Sequence, residues 1–185
     1  MDIHPRYDEM VAANRVVISP EEADFKIEYD FNAPPRIVWD WVMDINRRTQ
    51  AMGESEHWSA IARPSGRSGV GAKNHCAHGK GKGISEETIQ DWRPFEYGTS
   101  MNIDGNVKYQ NMYLFTPLDD GERTRVEIRL KLYKPSPLWL SRIMVKMEFA
   151  REKPYQHWFE SIKQLMETNS VEPLRHGDTE NRKTP

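Results

Sequence analysis

The chain has a single cysteine, Cys76, among 185 residues. No internal disulfide framework can form, and the lone thiol fits a reducing compartment. Neither sign of charge dominates, with 26 lysines and arginines against 28 aspartates and glutamates. That near-balance gives no footprint for nucleic acid or for an anionic membrane surface. No stretch approaches the roughly 20 apolar residues of a transmembrane span. The opening Met1-Asp2-Ile3-His4-Pro5-Arg6 is followed by no apolar run, so no signal peptide is expected. There is no internal repeat. These absences predict a soluble, cytoplasmic protein, and the length suits one domain that buries a full core without staples.

The order of the pieces carries the most information. Residues 25–31, Phe-Lys-Ile-Glu-Tyr-Asp-Phe, alternate apolar and charged, the pattern of a strand with one buried face. Asn32 then offers an N-cap, Pro34 and Pro35 suit a first helical turn, and the spacing becomes helical through Asp44. Segments 57–63, 70–78, 84–92, 97–103, 107–116 and 124–133 read as strands. Turn chemistry separates them: Pro64-Ser65-Gly66, Gly79-Lys80-Gly81-Lys82-Gly83, Asp104-Gly105-Asn106 and Pro117-Leu118-Asp119-Asp120-Gly121. In 124–133, Val126, Ile128, Leu130 and Leu132 take one face. Arg125, Glu127, Arg129 and Lys131 take the other, which predicts a solvated sheet face.

The chain closes on a helix whose stripe is Tyr155, Trp158, Phe159, Ile162, Leu165 and Met166. Trp139, Ile143, Met147 and Ala150 continue a similar face upstream, and Pro154 predicts a kink or two abutting helices. Trp158, Phe159 and Ile162 are expected against Phe25, Ile27, Val126, Ile128 and Leu130. Residues 1–23 read as a loosely ordered N-terminal extension, 24–168 as the domain, and 169–185 as a flexible charged tail. The fold class is α+β. Six tryptophans and nine methionines fit ordinary core filling, or a large adaptable pocket.

The densest polar cluster is Asn74-His75-Cys76-Ala77-His78. On a strand, Asn74, Cys76 and His78 share a face, and the usual burial of cysteine turns that face inward. A hairpin centred near Gly81 sets Cys76 opposite Glu86 or Glu87. Cysteine, histidine and glutamate together could form a nucleophile with its base, an acid–base set or part of a zinc site. They could equally be packing and hydrogen-bonding groups, or polar anchors for a ligand. Cys-x-His supplies too few zinc ligands and no second motif follows, so no metal and no cofactor is expected. The glycine–lysine run 79–83 lacks the Gly-Lys-Ser/Thr ending of a P-loop and reads as a hairpin tip.

The strand followed by Ala33-Pro34-Pro35-Arg36-Ile37-Val38-Trp39-Asp40-Trp41-Val42-Met43-Asp44 resembles the SRPBCC superfamily, which includes START-like, Bet v 1-like and polyketide cyclase/dehydrase proteins. The resemblance continues in Gly69-Val70-Gly71-Ala72, in Ile89-Gln90-Asp91-Trp92-Arg93-Pro94-Phe95 and in Ile162-Lys163-Gln164-Leu165, spanning roughly 24–168. Where many relatives carry a tryptophan shortly after the helix and its aspartate, this chain has Ala51-Met52, with Trp58 the nearest candidate. The resemblance implies a helix-grip fold, a curved antiparallel sheet round a long C-terminal helix, enclosing a cavity. It further implies binding of a hydrophobic or amphipathic small molecule such as a lipid, a polyketide-like aromatic or an isoprenoid. Asn74, Cys76, His78 and Glu87 would be its polar contacts. Ile89, Met101, Tyr113, Ile128, Leu130, Trp158, Phe159 and Ile162 would be its walls. Two alternatives stay open: a cyclase/dehydrase-type enzyme in which His78 and Glu87 move protons, and a regulatory or interaction module without turnover.

Overall fold

A computed structural model describes residues 16–52, 56–60, 69–78, 84–134, 137–152 and 154–169. The elements are strand β1 (Phe25–Phe31), helices α1 (Pro35–Met43) and α2 (Ile45–Met52), and strands β2 (Glu56–Ala60), β3 (Lys73–His78), β4 (Ile84–Arg93), β5 (Tyr97–Asp104), β6 (Val107–Leu118) and β7 (Arg123–Lys134). Helices α3 (Leu138–Glu152) and α4 (Pro154–Asn169) follow. The seven strands form one sheet in the order β1-β7-β6-β5-β4-β3-β2, with every neighbouring pair antiparallel. This is an α+β, helix-grip architecture: the curved sheet wraps the C-terminal helix. The expected turns 64–66 and 79–83 lie outside the described residues, as do residues 1–15 and all of the expected tail 169–185 except Asn169, which ends α4.

β1 forms over the residues whose alternation predicted it, paired in register with β7 from Phe25↔Leu130 to Phe31↔Thr124. The helix after it starts differently. Pro34, not Asn32, is the N-cap; its extended backbone leads directly into Pro35 at the first helical position, with no side-chain cap. α1 buries Val38, Trp39, Trp41 and Val42. Trp39 meets Trp92, Phe95 and Phe115 at ring-centroid distances of 5.8, 6.0 and 5.0 Å. Gly98 lies under this helix, and the space a Cβ would take there is filled by the end of the flexible Met43 side chain.

α4 lies on the concave side of the sheet. Trp158, Phe159 and Ile162 join Phe31, Val38, Trp39, Trp41, Val42, Tyr113, Phe115, Val126 and Ile128 in the main core. Ile27 packs against this cluster, whereas Phe25 and Leu130 are not part of it, and the aromatic partners from β1 are Tyr29 and Phe31.

The opposite face of β7 is wet only toward its ends, where the Arg125 and Lys131 side chains stay partly exposed, and is covered in the middle. Glu127 and Arg129 are only 1% and 2% exposed. Residues 16–23, expected to be loose, lie across this face. Ile18 is fully buried with Tyr97, Met112 and Leu114, with Val17 and Ala23 packed alongside. Arg129 donates to Glu127 at 2.6 Å and to the Ile18 carbonyl at 2.8 Å, so the buried pair has its partners. Asp91 accepts from the Val16 amide and from the Tyr97 hydroxyl, both at 3.1 Å. An alternating strand reports which residues share a face, and a segment over a hundred residues away decided whether that face met water.

Pro154 does separate two helices, but the upstream stripe does not continue the downstream one. Trp139, Ile143 and Met147 are 63%, 49% and 69% exposed. α3 instead turns Ser141 inward and is tethered by Arg142, whose Nε lies 2.6 Å from Asp24. No helix among the described residues is long and apolar enough to cross a membrane.

Candidate functional site

The candidate site is the polar end of the concave face. Its placement begins with Asp44, whose Oδ1 accepts from the amides of Asn46 and Arg47, both at 3.0 Å, and so caps α2. One turn later Arg48 points into the protein. Its Nε donates to the Val42 carbonyl at 3.1 Å, and Nη1 reaches both oxygens of Glu87 on β4, at 3.2 and 3.1 Å. Asn74 on β3 donates to the same carboxylate at 2.8 Å. Arg48 and Glu87 are both almost wholly enclosed. The Arg48 guanidinium also stands 6.0 Å over the Tyr113 ring. Burial is the largest influence and works against its charge, but Glu87, Tyr113 and Tyr155 together outweigh it and hold the guanidinium above its ordinary range.

The second half of the site faces these groups from β6 and α4. Asn111 and Tyr113 sit two residues apart on β6, and so on one face. The Asn111 amide donates to the Tyr155 hydroxyl at 3.4 Å. Tyr113 and Trp158 rings meet edge-on at 6.3 Å, and Trp158 lies 6.2 Å from the Tyr155 ring. Burial pushes the Tyr113 phenol up to about 12, against the opposing pull of Arg48. Burial likewise pushes Tyr155 well above its ordinary value, with Tyr113 and Tyr109 adding to it. Both phenols therefore remain protonated donors around neutral pH. Ser100 and Asn102 on β5, buried and joined by a 3.1 Å hydrogen bond, extend the polar strip along the register Ser100↔Asn111 and Asn102↔Tyr109.

Several of the residues singled out from the sequence meet here. Asn74, Glu87, Tyr113 and Trp158 stand around the site, Ile89 shares the Glu87 face of β4, and Ile128 shares the core with Phe159 and Ile162. Cys76 is fully buried two residues from Asn74, as its type predicted, and Leu130 is buried beside Asn111 in the register. The hairpin register differs from expectation. Cys76 pairs with Ser85, while Glu87 stands opposite Asn74. His78 ends β3 opposite Glu56, four residues or about 13 Å along the strand from Asn74. Its side chain lies outside the described residues. The Glu87 carboxylate is held by Arg48 and Asn74 rather than set across from His78. Met101 is on the other face of the sheet, since Ser100 and Asn102, its neighbours on β5, take the concave side.

Arg48, Asn111 and Tyr155 were missed. Arg47 and Arg48 are adjacent in a polar helix, and nothing in the sequence says which turns inward. In fact Arg47 lies over the Trp41 ring at 5.0 Å. Tyr155 was legible only as part of an apolar stripe. No group of three or more histidines, cysteines, aspartates or glutamates suited to a metal occurs among the described residues.

No family model and no curated protein matches the chain. Solved structures do. Protein NE0264 from Nitrosomonas europaea superposes with a TM-score of 0.62 at 10% identity, over 83% of this chain and 100% of that one. Ms6760 from Mycobacterium smegmatis gives 0.60 at 15% identity, over 83% and 96%. DynU16, a protein of the dynemicin biosynthetic locus, gives 0.54 at 16% identity, over 78% of this chain and 47% of that one. At such identities the likeness is one of fold, and what it establishes is that this chain has the helix-grip architecture.

Proposed function

We propose that the protein binds a hydrophobic or amphipathic small molecule, of the lipid, polyketide-like or isoprenoid kind, in a cavity between the concave sheet face and α4. The observation that carries the reading is the pairing of an aromatic and aliphatic wall with one buried polar end. Trp158, Phe159, Ile162, Tyr113, Ile128, Leu130 and Ile89 would supply the wall. Asn74, Glu87 and Cys76, with Arg48, Asn111 and Tyr155, would supply the polar end. Ligand sites of this kind are mostly apolar with a few placed polar groups that fix orientation. The fold neighbour from the dynemicin biosynthetic locus agrees with a small-molecule role. The lone thiol fits a cytoplasmic setting.

A cyclase/dehydrase-type enzyme would need a proton carrier free to act, with His78 and Glu87 in those roles. The engagement of Glu87 by Arg48 and Asn74 favours binding over turnover. A module that neither binds nor turns over a small molecule is the remaining alternative. Native mass spectrometry of the purified protein tests the proposal. A species heavier than the 21.7 kDa chain, returning to the bare mass after organic extraction, is expected. A bare mass that persists after incubation with a total lipid extract would refute it.

A further inference from the structure

We infer that the ligand presents a neutral hydroxyl, as an alcohol, phenol or enol, to the Trp158 indole N–H and the Asn111 side-chain carbonyl. This rests on the ligand-binding reading and adds the chemistry of the head group. Buried polar groups in folded proteins nearly always have partners. Among the described residues, Trp158 Nε1 and Asn111 Oδ1 are buried side-chain atoms with none. They belong to residues that are 5% and 4% exposed, on different elements, around the same Tyr113–Tyr155 pair.

Their polarity is complementary to one group. The indole nitrogen can only donate, and the amide oxygen can only accept. A hydroxyl accepts from the first and donates to the second with a single atom. A ketone answers only the indole and leaves the amide oxygen unmatched. A carboxylate does the same and brings a charge. That charge has no counter-ion waiting, because Arg48 is already committed to both oxygens of Glu87 and to the Val42 carbonyl. An unpaired charge moved into such a place is strongly disfavoured. Tyr113 and Tyr155, both held protonated by burial, keep the surroundings neutral. The aromatic rings of Trp158, Tyr113 and Tyr155 favour a flat or cyclic body behind the hydroxyl.

Three probes that share a ring system and differ in head group test this: 2-naphthol, naphthalene and 2-naphthoate. Each is titrated against the full chain by calorimetry near neutral pH. The expected result is that 2-naphthol binds at least roughly tenfold more tightly than either of the others, the difference made by about one well-formed hydrogen bond. Trp158→Phe and Asn111→Leu should each reduce the ratio of 2-naphthol to naphthalene affinity to about one, whatever either change does to the affinity for the bare ring system. Equal binding of all three probes, tightest binding of 2-naphthoate, or a preference that survives both substitutions would overturn the inference while leaving ligand binding intact. Binding of none of the three would refute the ligand-binding reading itself. If the variants fail to fold, the ranking of probes on the unaltered chain still decides.

Discussion

Phe159→Ala is expected to lower the free energy of unfolding by about 3–5 kcal/mol, the range for removing a large aromatic from a packed core. Phe159 is fully buried, and it joins the helix to the sheet through two rings of β1, Phe31 edge-on at 5.5 Å and Tyr29 at 5.2 Å, while stacking on its helix neighbour Trp158 at 5.1 Å. Removing its ring leaves a void between α4 and β1 that rigid strands cannot collapse to fill. Urea denaturation followed by tryptophan fluorescence measures the loss. A change below roughly 1 kcal/mol would mean that α4 does not grip the sheet through this residue.

An effect of similar size is expected at the buried ion pair. Arg48→Met leaves the Glu87 carboxylate enclosed with Asn74 as its remaining side-chain donor, and Glu87→Leu leaves the guanidinium without its counter-ion. Each single substitution should cost about 3–5 kcal/mol, because an uncompensated charge is left in the interior. Arg48→Met with Glu87→Leu removes both charges together. That double variant should be far more stable than the sum of the singles predicts. Additive losses in the cycle would show that the two side chains are not coupled, and the polar end of the site would then be misassigned.

How much of this was legible depended on range. β1 and β7 each carry a period of two in their own residues, so both strands and their inner faces could be read directly, as could α4 from its stripe. The β3–β4 register could not. A glycine-rich connection fixes that two strands turn back on one another but not by how many residues, and a slip of one or two moved Glu87 from Cys76 to Asn74. The burial of Glu127 and Arg129 depended on a segment far away in sequence. Arg48 was hidden for a third reason. Its burial follows from the Asp44 cap and the angle of α2, which no local pattern of charges encodes. The polar site is built mainly from such long-range facts, whereas the apolar wall beside it is built from periodicity.

A small molecule bound on the concave face under α4, as proposed, would lie against Trp158, whose indole therefore reports on that place. The most direct measurement is a titration of the 15N-labelled chain with 2-naphthol or naphthalene, following the indole N–H signals, with Trp158 assigned from Trp158→Phe. Saturable movement of the Trp158 signal, with the signal of exposed Trp139 on α3 unchanged, is the predicted result. Movement of Trp139 with Trp158 stationary would place binding on the outer surface of the protein and contradict the account.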